Sequence, residues 1–462
     1  VDATQSQGDA TGDGMVDGLD LYVWQQQYDG SPPSSPSAQV VPEPGTHTLV
    51  ICLALLATFA FSRRLLHQYS VTCFLYGGAL LLAGQAQAQV TATWNGDGDG
   101  VNWSDPDNWD INTVPVNNGT TYEAIIPAGS NVSFDSAMPL GVTIDQLQLL
   151  GTATLDITPN RQLTVLSNAL LEGIFTADGS GTDFDAIGLG VSFGGNAQAH
   201  VSGGATADIA APSYSLTINP SSTTLFSAVD PGSVLNLSSL GSINSLNSTN
   251  GFQTIEAASG GTVDLSGVAS VTKNGQGILR FHVIDSGSTL NLSSLQSITG
   301  SGSTLLDLEN NSTLTLDALI NSDRLSITVD GSSTLNLPIM AEYLNGTLTV
   351  TDGGTVNAEN LTNVSGSTLH LTPQTNLTVG MLSQIDNARI TVSDGKTFNQ
   401  VTAPSYSLTV NPSSTTLFSA ADPGSVLNLS SLGSISSLVS TSGTQTIEAA
   451  SGGTVDLSGV AS

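Results

Sequence analysis

The sequence predicts an all-β fold, a repetitive parallel β-helix (solenoid) body. A small α segment and one or two short hydrophobic helices are expected at its N-terminal side. Three observations predict it. Short strings with every second residue apolar follow turn glycines through the second half of the chain. A sixty-residue stretch returns almost unchanged, and two apolar runs lie between residues 49 and 84.

The short strings come first. Gly232-Ser233-Val234-Leu235-Asn236-Leu237 is echoed by Gly287-Ser288-Thr289-Leu290-Asn291-Leu292, and related strings begin at Gly261, Ser312, Ser333, Gly346, Gly354 and Ser367. Alternation of this kind marks a half-buried strand. A strand of four or five residues cannot bury its apolar face alone. Stacking equivalent strands from successive coils builds one continuous core, with Leu and Val inside and Ser, Thr and Asn outside or in corners. Resemblance to other secreted repetitive proteins implies a right-handed helix. A β-sandwich array is the alternative, but its strands are normally longer and richer in aromatics.

The long repeat places residues 211–270 again at 403–462, an offset of 192 with six differences in sixty positions. Near-identity of this degree indicates a recent duplication that lengthens a rod without making a new pocket. The chain opens on Val1 rather than Met and ends at Ser462 inside a repeat, as a piece of a longer protein does.

Composition sets the partners. Of 462 residues, 8 are Lys or Arg and 38 are Asp or Glu, a formal charge of −30. A nucleic-acid partner needs a basic footprint to neutralise phosphates, so none is expected. An acidic surface attracts cations instead. Cys52 and Cys73 both lie in apolar runs and no Cys follows, so disulfides do not hold the long body.

Residues 1–30 carry a metal-loop pattern. With Asp9 as the first loop position, Thr11 is third, Asp13 fifth, Gly14 sixth, Met15 seventh, Asp17 ninth and Asp20 twelfth. Hard oxygen ligands at this spacing surround Ca²⁺, with Gly14 at the sharp turn and the Met15 carbonyl as a ligand. Leu21, Trp24 and Tyr28 then share a face at helical spacing, so a short helix over residues 19–28 completes an EF-hand-like segment. The stretch resembles a dockerin repeat, which implies Asp9, Asp13, Asp17 and Asp20 as side-chain ligands and a cohesin-like module as a partner. Thr11 departs from the usual Asn or Asp, and one repeat stands where dockerins normally carry two.

A Pro/Ser linker leads to Val41-Pro42-Glu43-Pro44-Gly45, an apolar run over residues 49–61, and Arg63-Arg64. This resembles a PEP-CTERM sorting signal, which implies export, a short transmembrane helix over residues 46–64 and a basic stop at its cytoplasmic end. A second apolar run covers residues 71–84 and ends in Gln85-Ala86-Gln87-Ala88-Gln89, so residues 65–88 read as a signal peptide cleaved before Gln89. A signal peptide behind a C-terminal sorting signal points to two secreted proteins joined end to end, residues 1–64 and 65–462. A hairpin of two membrane helices is the alternative. Either order gives an exported bacterial protein, at the cell surface, outer membrane or beyond, membrane-associated through these segments.

Residues 89–135 contain Trp94, Trp103 and Trp109 around Asp97 and Asp99 and read as a solenoid cap, covering edges that an end coil leaves unpaired. This head resembles those of autotransporter-like and PEP-CTERM-associated surface proteins. Residues 136–462 are the repeats.

No catalytic constellation is evident. Arg161, Lys273, Arg280, Arg324, Arg389 and Lys396 are isolated, and His200, His282 and His370 fall in different strings without metal-ligand spacing. In Leu279 to Asp285, the side chains of Arg280, His282 and Asp285 are candidates for one face, with a solvated strand surface as the plainer reading. The function expected is a structural or adhesive surface rod, touching other surfaces or polysaccharide weakly at many points. The alternative is a secreted polysaccharide-binding or polysaccharide-degrading protein attached through the dockerin-like module.

Overall fold

The computed structural model describes residues 89–217, 222–246, 250–409, 414–437 and 443–461. The chain divides after residue 85, and everything described belongs to the second unit, Ala86–Ser462.

That unit is a three-faced parallel β-solenoid. Among the described residues, the first face is an 11-stranded sheet followed by the two-stranded ladder of Ser405–Leu408 and Ser434–Ser437, and the second is a 14-stranded sheet. The third face is assembled from sheets of seven, four and three strands in succession. Successive strands along the chain fall on successive faces, and every ladder between named strands is parallel, which a β-sandwich cannot show. The rise from rung to rung varies, from 20 residues between Thr154 and Ile174 to 30 between Thr223 and Gln253, and to 32 between Val90 and Tyr122 at the cap. The corners absorb this difference while the strands keep register.

The core is a stack of columns. On the first face Ile126, Leu149, Leu171, Phe193, Tyr214, Ile243, Val271 and Ile298 occupy one inward position in consecutive coils. All are buried. Where the column turns aromatic, Phe226 of the second face packs on Phe193 at 5.3 Å and edge-on to Tyr214 at 4.7 Å. Each strand is too short to fold alone, so its stability comes from the coils above and below.

The Gly-Ser strings explain the corners. Gly232 adopts φ 86°, in the left-handed region open to glycine, and turns the chain from the second face to the third. Ser233 is buried there, where its hydroxyl donates to the Val229 carbonyl at 2.6 Å and accepts from the Gly204 N–H of the previous coil at 2.9 Å. Ser288 repeats the pair with Ile284 and Gly260. Serine here is an internal clamp. Leu235 then points inward, Asn236 outward, and the Asn236 side chain caps the next turn by accepting from the Ser238 N–H at 3.0 Å.

The duplicated stretch folds the same way twice. Ser213–Leu216, Thr223–Val229 and Val234–Asn236 correspond to Ser405–Leu408, Thr415–Ala421 and Val426–Asn428, down to the register shift after Thr224 and after Thr416.

At the N-terminal end of this unit Val90–Thr93 pairs with Tyr122–Ile126, and the three tryptophans pack together beneath it. Trp109 meets Trp94 at 5.2 Å and Trp103 at 4.8 Å, both edge-on, and donates from Nε1 to the Trp103 carbonyl at 3.0 Å.

The helical part of the expected fold is corrected. Among the described residues the helical structure is a three-residue 3-10 turn, Pro106–Asn108, and no helix is long and apolar enough to cross a membrane. The EF-hand-like helix over residues 19–28 and the hydrophobic helices over residues 46–64 and 71–84 lie outside the described residues. Membrane attachment through them, and a membrane-associated localisation resting on it, therefore have no support in the structure. The reason within the solenoid is physical: Gly and Asx corners follow every few residues, leaving strands of two to seven residues and no run on which a 3.6-residue periodicity can build.

Candidate cation site on the second face

One outward column of the 14-stranded face gathers side chains that the sequence scatters. In rung order it reads Asp156, Thr176, His200, Ser227, Glu256, His282, Asp307, Thr328, Thr349, His370, Thr391. His200, His282 and His370 thus share a single file. Neighbours bond along it: His200 Nδ1 meets Ser227 Oγ at 2.9 Å and His370 Nδ1 meets Thr391 Oγ1 at 2.6 Å. Burial holds the His200 ring below the ordinary imidazole pKa, against the pull of Glu256.

The charged centre of the file spans three strands, Phe252–Ala258, Ile278–Ile284 and Ser303–Glu309. His282 is 6% exposed. Its Nδ1 lies 2.9 Å from Glu256 Oε2, and its Nε2 lies 3.5 Å from Glu309 Oε1 without a hydrogen bond. Arg280, two residues earlier on the same face, donates from Nε to Asp307 Oδ2 at 2.8 Å and from Nη2 to Asp307 Oδ2 and, at 3.2 Å, to Glu309 Oε1. The hydrogen bond from His282, together with the charges of His282, Arg280 and His200, keeps the Glu256 carboxyl low despite its burial. At the adjoining corner burial first, then Glu309 and Asp307, push the Asp330 carboxyl up. One ligand atom from each of His282, Asp307 and Glu309 falls within 4.8 Å of the others, a group able to coordinate a cation.

The structure sorts the expected site residues. Arg280 and His282 do share a face. Asp285 does not join them: it sits at the corner with φ 72° and accepts from Asn310 Nδ2 at 3.2 Å. The carboxylates that complete the group come from other coils, Glu256 26 residues before His282 and Asp307 27 residues after Arg280, where no sequence window finds them. The available signal was the repeat: aligning the strings strand on strand would have stacked the three histidines.

Other basic residues serve the corners. Lys273 is buried and donates to the Asn274 and Gln276 carbonyls at 2.8 and 2.9 Å, and Lys396 donates to the Thr375 carbonyl at 2.7 Å. In the cap, Asp99 accepts from the Val101 and Asn102 N–H groups at 2.9 and 2.8 Å and from Asn108 Nδ2 at 2.8 Å, which holds its carboxyl well below the usual range. Those donors make the Asp99 loop a folded turn. An open cleft beside Phe252, lined by Gly251, Gly275, Gly277 and Ser303, gathers no charged side chain. Asp9, Thr11, Asp13, Met15, Asp17 and Asp20 lie outside the described residues.

Fold and sequence together define an exported repeat protein with a β-solenoid body. Comparison with known proteins supplies the sorting element: residues 40–64 match the PEP-CTERM protein-sorting motif, covering the Pro-Glu-Pro box, the apolar run and the arginine pair. No curated protein and no solved structure matches the chain significantly.

Proposed function

We propose that this chain is a structural or adhesive rod of the bacterial cell surface. The observation that carries the reading is the unbroken 14-stranded face, about 60 Å long at the usual strand spacing, with hydrogen-bonding side chains on its outward positions at every coil. The third face adds a ladder in which Asn357 Nδ2 donates to Asn336 Oδ1 at 2.8 Å and Asn336 Nδ2 to Thr315 Oγ1 at 3.2 Å. Regular files of hydroxyls and amides offer many equivalent weak contacts, and affinity then grows with the number engaged. Duplication of residues 211–270 as 403–462 adds coils with the same surface.

The acidic loop of residues 9–20 is read as a separate Ca²⁺-binding element of dockerin-like type, with Asp9, Asp13, Asp17 and Asp20 as side-chain ligands and Thr11 and the Met15 carbonyl completing the set. Calorimetric titration of the full chain with Ca²⁺, against an Asp9→Ala/Asp13→Ala variant, tests it; equal heats in both remove the loop from the reading.

The main test is adhesion. The full chain, immobilised at rising density, is expected to retain cell-wall and extracellular polysaccharides with an apparent affinity that climbs with density. The same preparation is incubated with plant and algal glycans. Release of shortened products there would replace the adhesive reading with the carbohydrate-active one, for which the Glu256, His282 and Asp307 cluster would be the place to look.

A further inference from the structure

We propose that His282 Nε2, Asp307 and Glu309 bind one borderline divalent transition ion, zinc by preference, with Glu256 orienting the ring and Arg280 acting as a built-in competitor. The proposal does not depend on what the rod contacts.

One buried ring nitrogen lacks a hydrogen-bond partner. His282 is 94% buried, as its 6% exposure states, and Nε2 has no hydrogen-bond partner. Glu256 accepts from Nδ1, and in the neutral ring that bond leaves the lone pair on Nε2. Nε2 faces Glu309 Oε1 at 3.5 Å: in the neutral ring two acceptors confront each other in a half-buried site, and in the protonated ring the pair is an ion pair whose proton a metal ion replaces. An ion between them turns this repulsion into coordination. The hydrogen bond from the distal nitrogen to a carboxylate is the usual outer support of a metal-binding histidine.

A tetrahedral zinc ion with bonds of about 2.1 Å sets its ligand atoms about 3.4 Å apart. The His282–Glu309 separation of 3.5 Å already has that value. Asp307, with its ligand atom within 4.8 Å of the other two, is the residue in reach of the third position. Water takes the fourth. Calcium fits poorly, because it seeks six to eight oxygens and this group leads with a nitrogen.

Arg280 lies on both carboxylates, so the native ion pair and a bound cation exclude each other. The Arg280 side chain is 25% exposed, which leaves it a path outward to water. Binding therefore has to displace a guanidinium, and removing Arg280 should strengthen it.

The test titrates the full chain with Zn²⁺ by calorimetry in millimolar Ca²⁺, which fills oxygen-only acidic sites, and repeats the titration with Co²⁺ while reading its visible absorption. Three variants are compared: His282→Gln, Glu256→Gln and Arg280→Gln. One saturable Zn²⁺ per chain is expected. It should weaken at least tenfold in His282→Gln, about tenfold in Glu256→Gln, and tighten at least tenfold in Arg280→Gln. The Co²⁺ bands of a nitrogen-containing tetrahedral site should appear in Arg280→Gln and be missing from His282→Gln. Identical isotherms for the native chain and a folded His282→Gln overturn the proposal, as does absence of saturable binding. Should His282→Gln lose its β-rich circular dichroism, the Arg280→Gln arm still decides, because a structural ion pair without a metal site gives no gain there.

Discussion

Replacing Trp109 with alanine tests whether the solenoid is stabilised coil by coil. Trp109 is fully buried between Trp94 and Trp103 in the N-terminal cap. Truncating a buried tryptophan costs about 3–5 kcal/mol through lost burial and the cavity left behind. The Trp103 carbonyl also loses the indole donor at 3.0 Å, which adds about 1 kcal/mol. A total near 5 kcal/mol rivals the whole stability of a small domain. In a body where each coil touches only its neighbours, however, the loss stays local. Hydrogen exchange followed by mass spectrometry on the full chain should show amides of Val90–Thr93 and Tyr122–Ile126 exchanging at least a hundredfold faster. Amides of Ile278–Ile284, many coils away, should keep native protection. Trp109→Phe keeps an aromatic ring in the stack and should cost only about 1–2 kcal/mol. Uniform acceleration along the whole body would refute nearest-neighbour stabilisation, and unchanged exchange in the cap would refute the packing role given to Trp109.

Three further outcomes follow from the same geometry. Gly188→Ala sets a methyl group 1.6 Å from the Ser167 carbonyl oxygen of the adjacent coil and should cost about 3 kcal/mol, whereas Gly141→Ala, which meets the Gln162 side chain at 3.7 Å, should stay within about 0.5; urea unfolding measures both. Ser233→Ala removes a buried clamp between Val229 and Gly204 and should cost about 1–3 kcal/mol by the same assay. Burial, then Asp183 and Asp208, push the Asp185 carboxyl up to about 6 from an ordinary 3.8. The folded state then holds this proton more tightly than the unfolded chain, so its contribution is present at low pH and is lost as pH rises between those values. The full shift is worth about 3 kcal/mol, and screening of a half-exposed group reduces it to about 1. Asp185→Asn should abolish that step in a plot of unfolding free energy against pH, and a step that persists in the variant belongs to another group.

The repeat, the inward alternation of Leu and Val, the turn glycines and the sorting motif were legible in the order of residues alone. These are local: a period-2 string such as residues 234–237 needs no knowledge of its neighbours to declare which side is apolar. The −30 charge likewise sets the expectation of cations rather than phosphates as partners without coordinates. Which coil lies on which emerged from the folded chain. A rise that wanders between 20 and 32 residues hides the register, and the register places Glu256, His282 and Asp307 side by side while sending Asp285 to a corner. The same stacking made the corner residue Ser233 a buried clamp. In a parallel solenoid a side chain's chemical neighbours belong to the coils above and below, about 4.8 Å away in space and a full turn away in sequence, so a site on its surface is written across strings that read separately as bland.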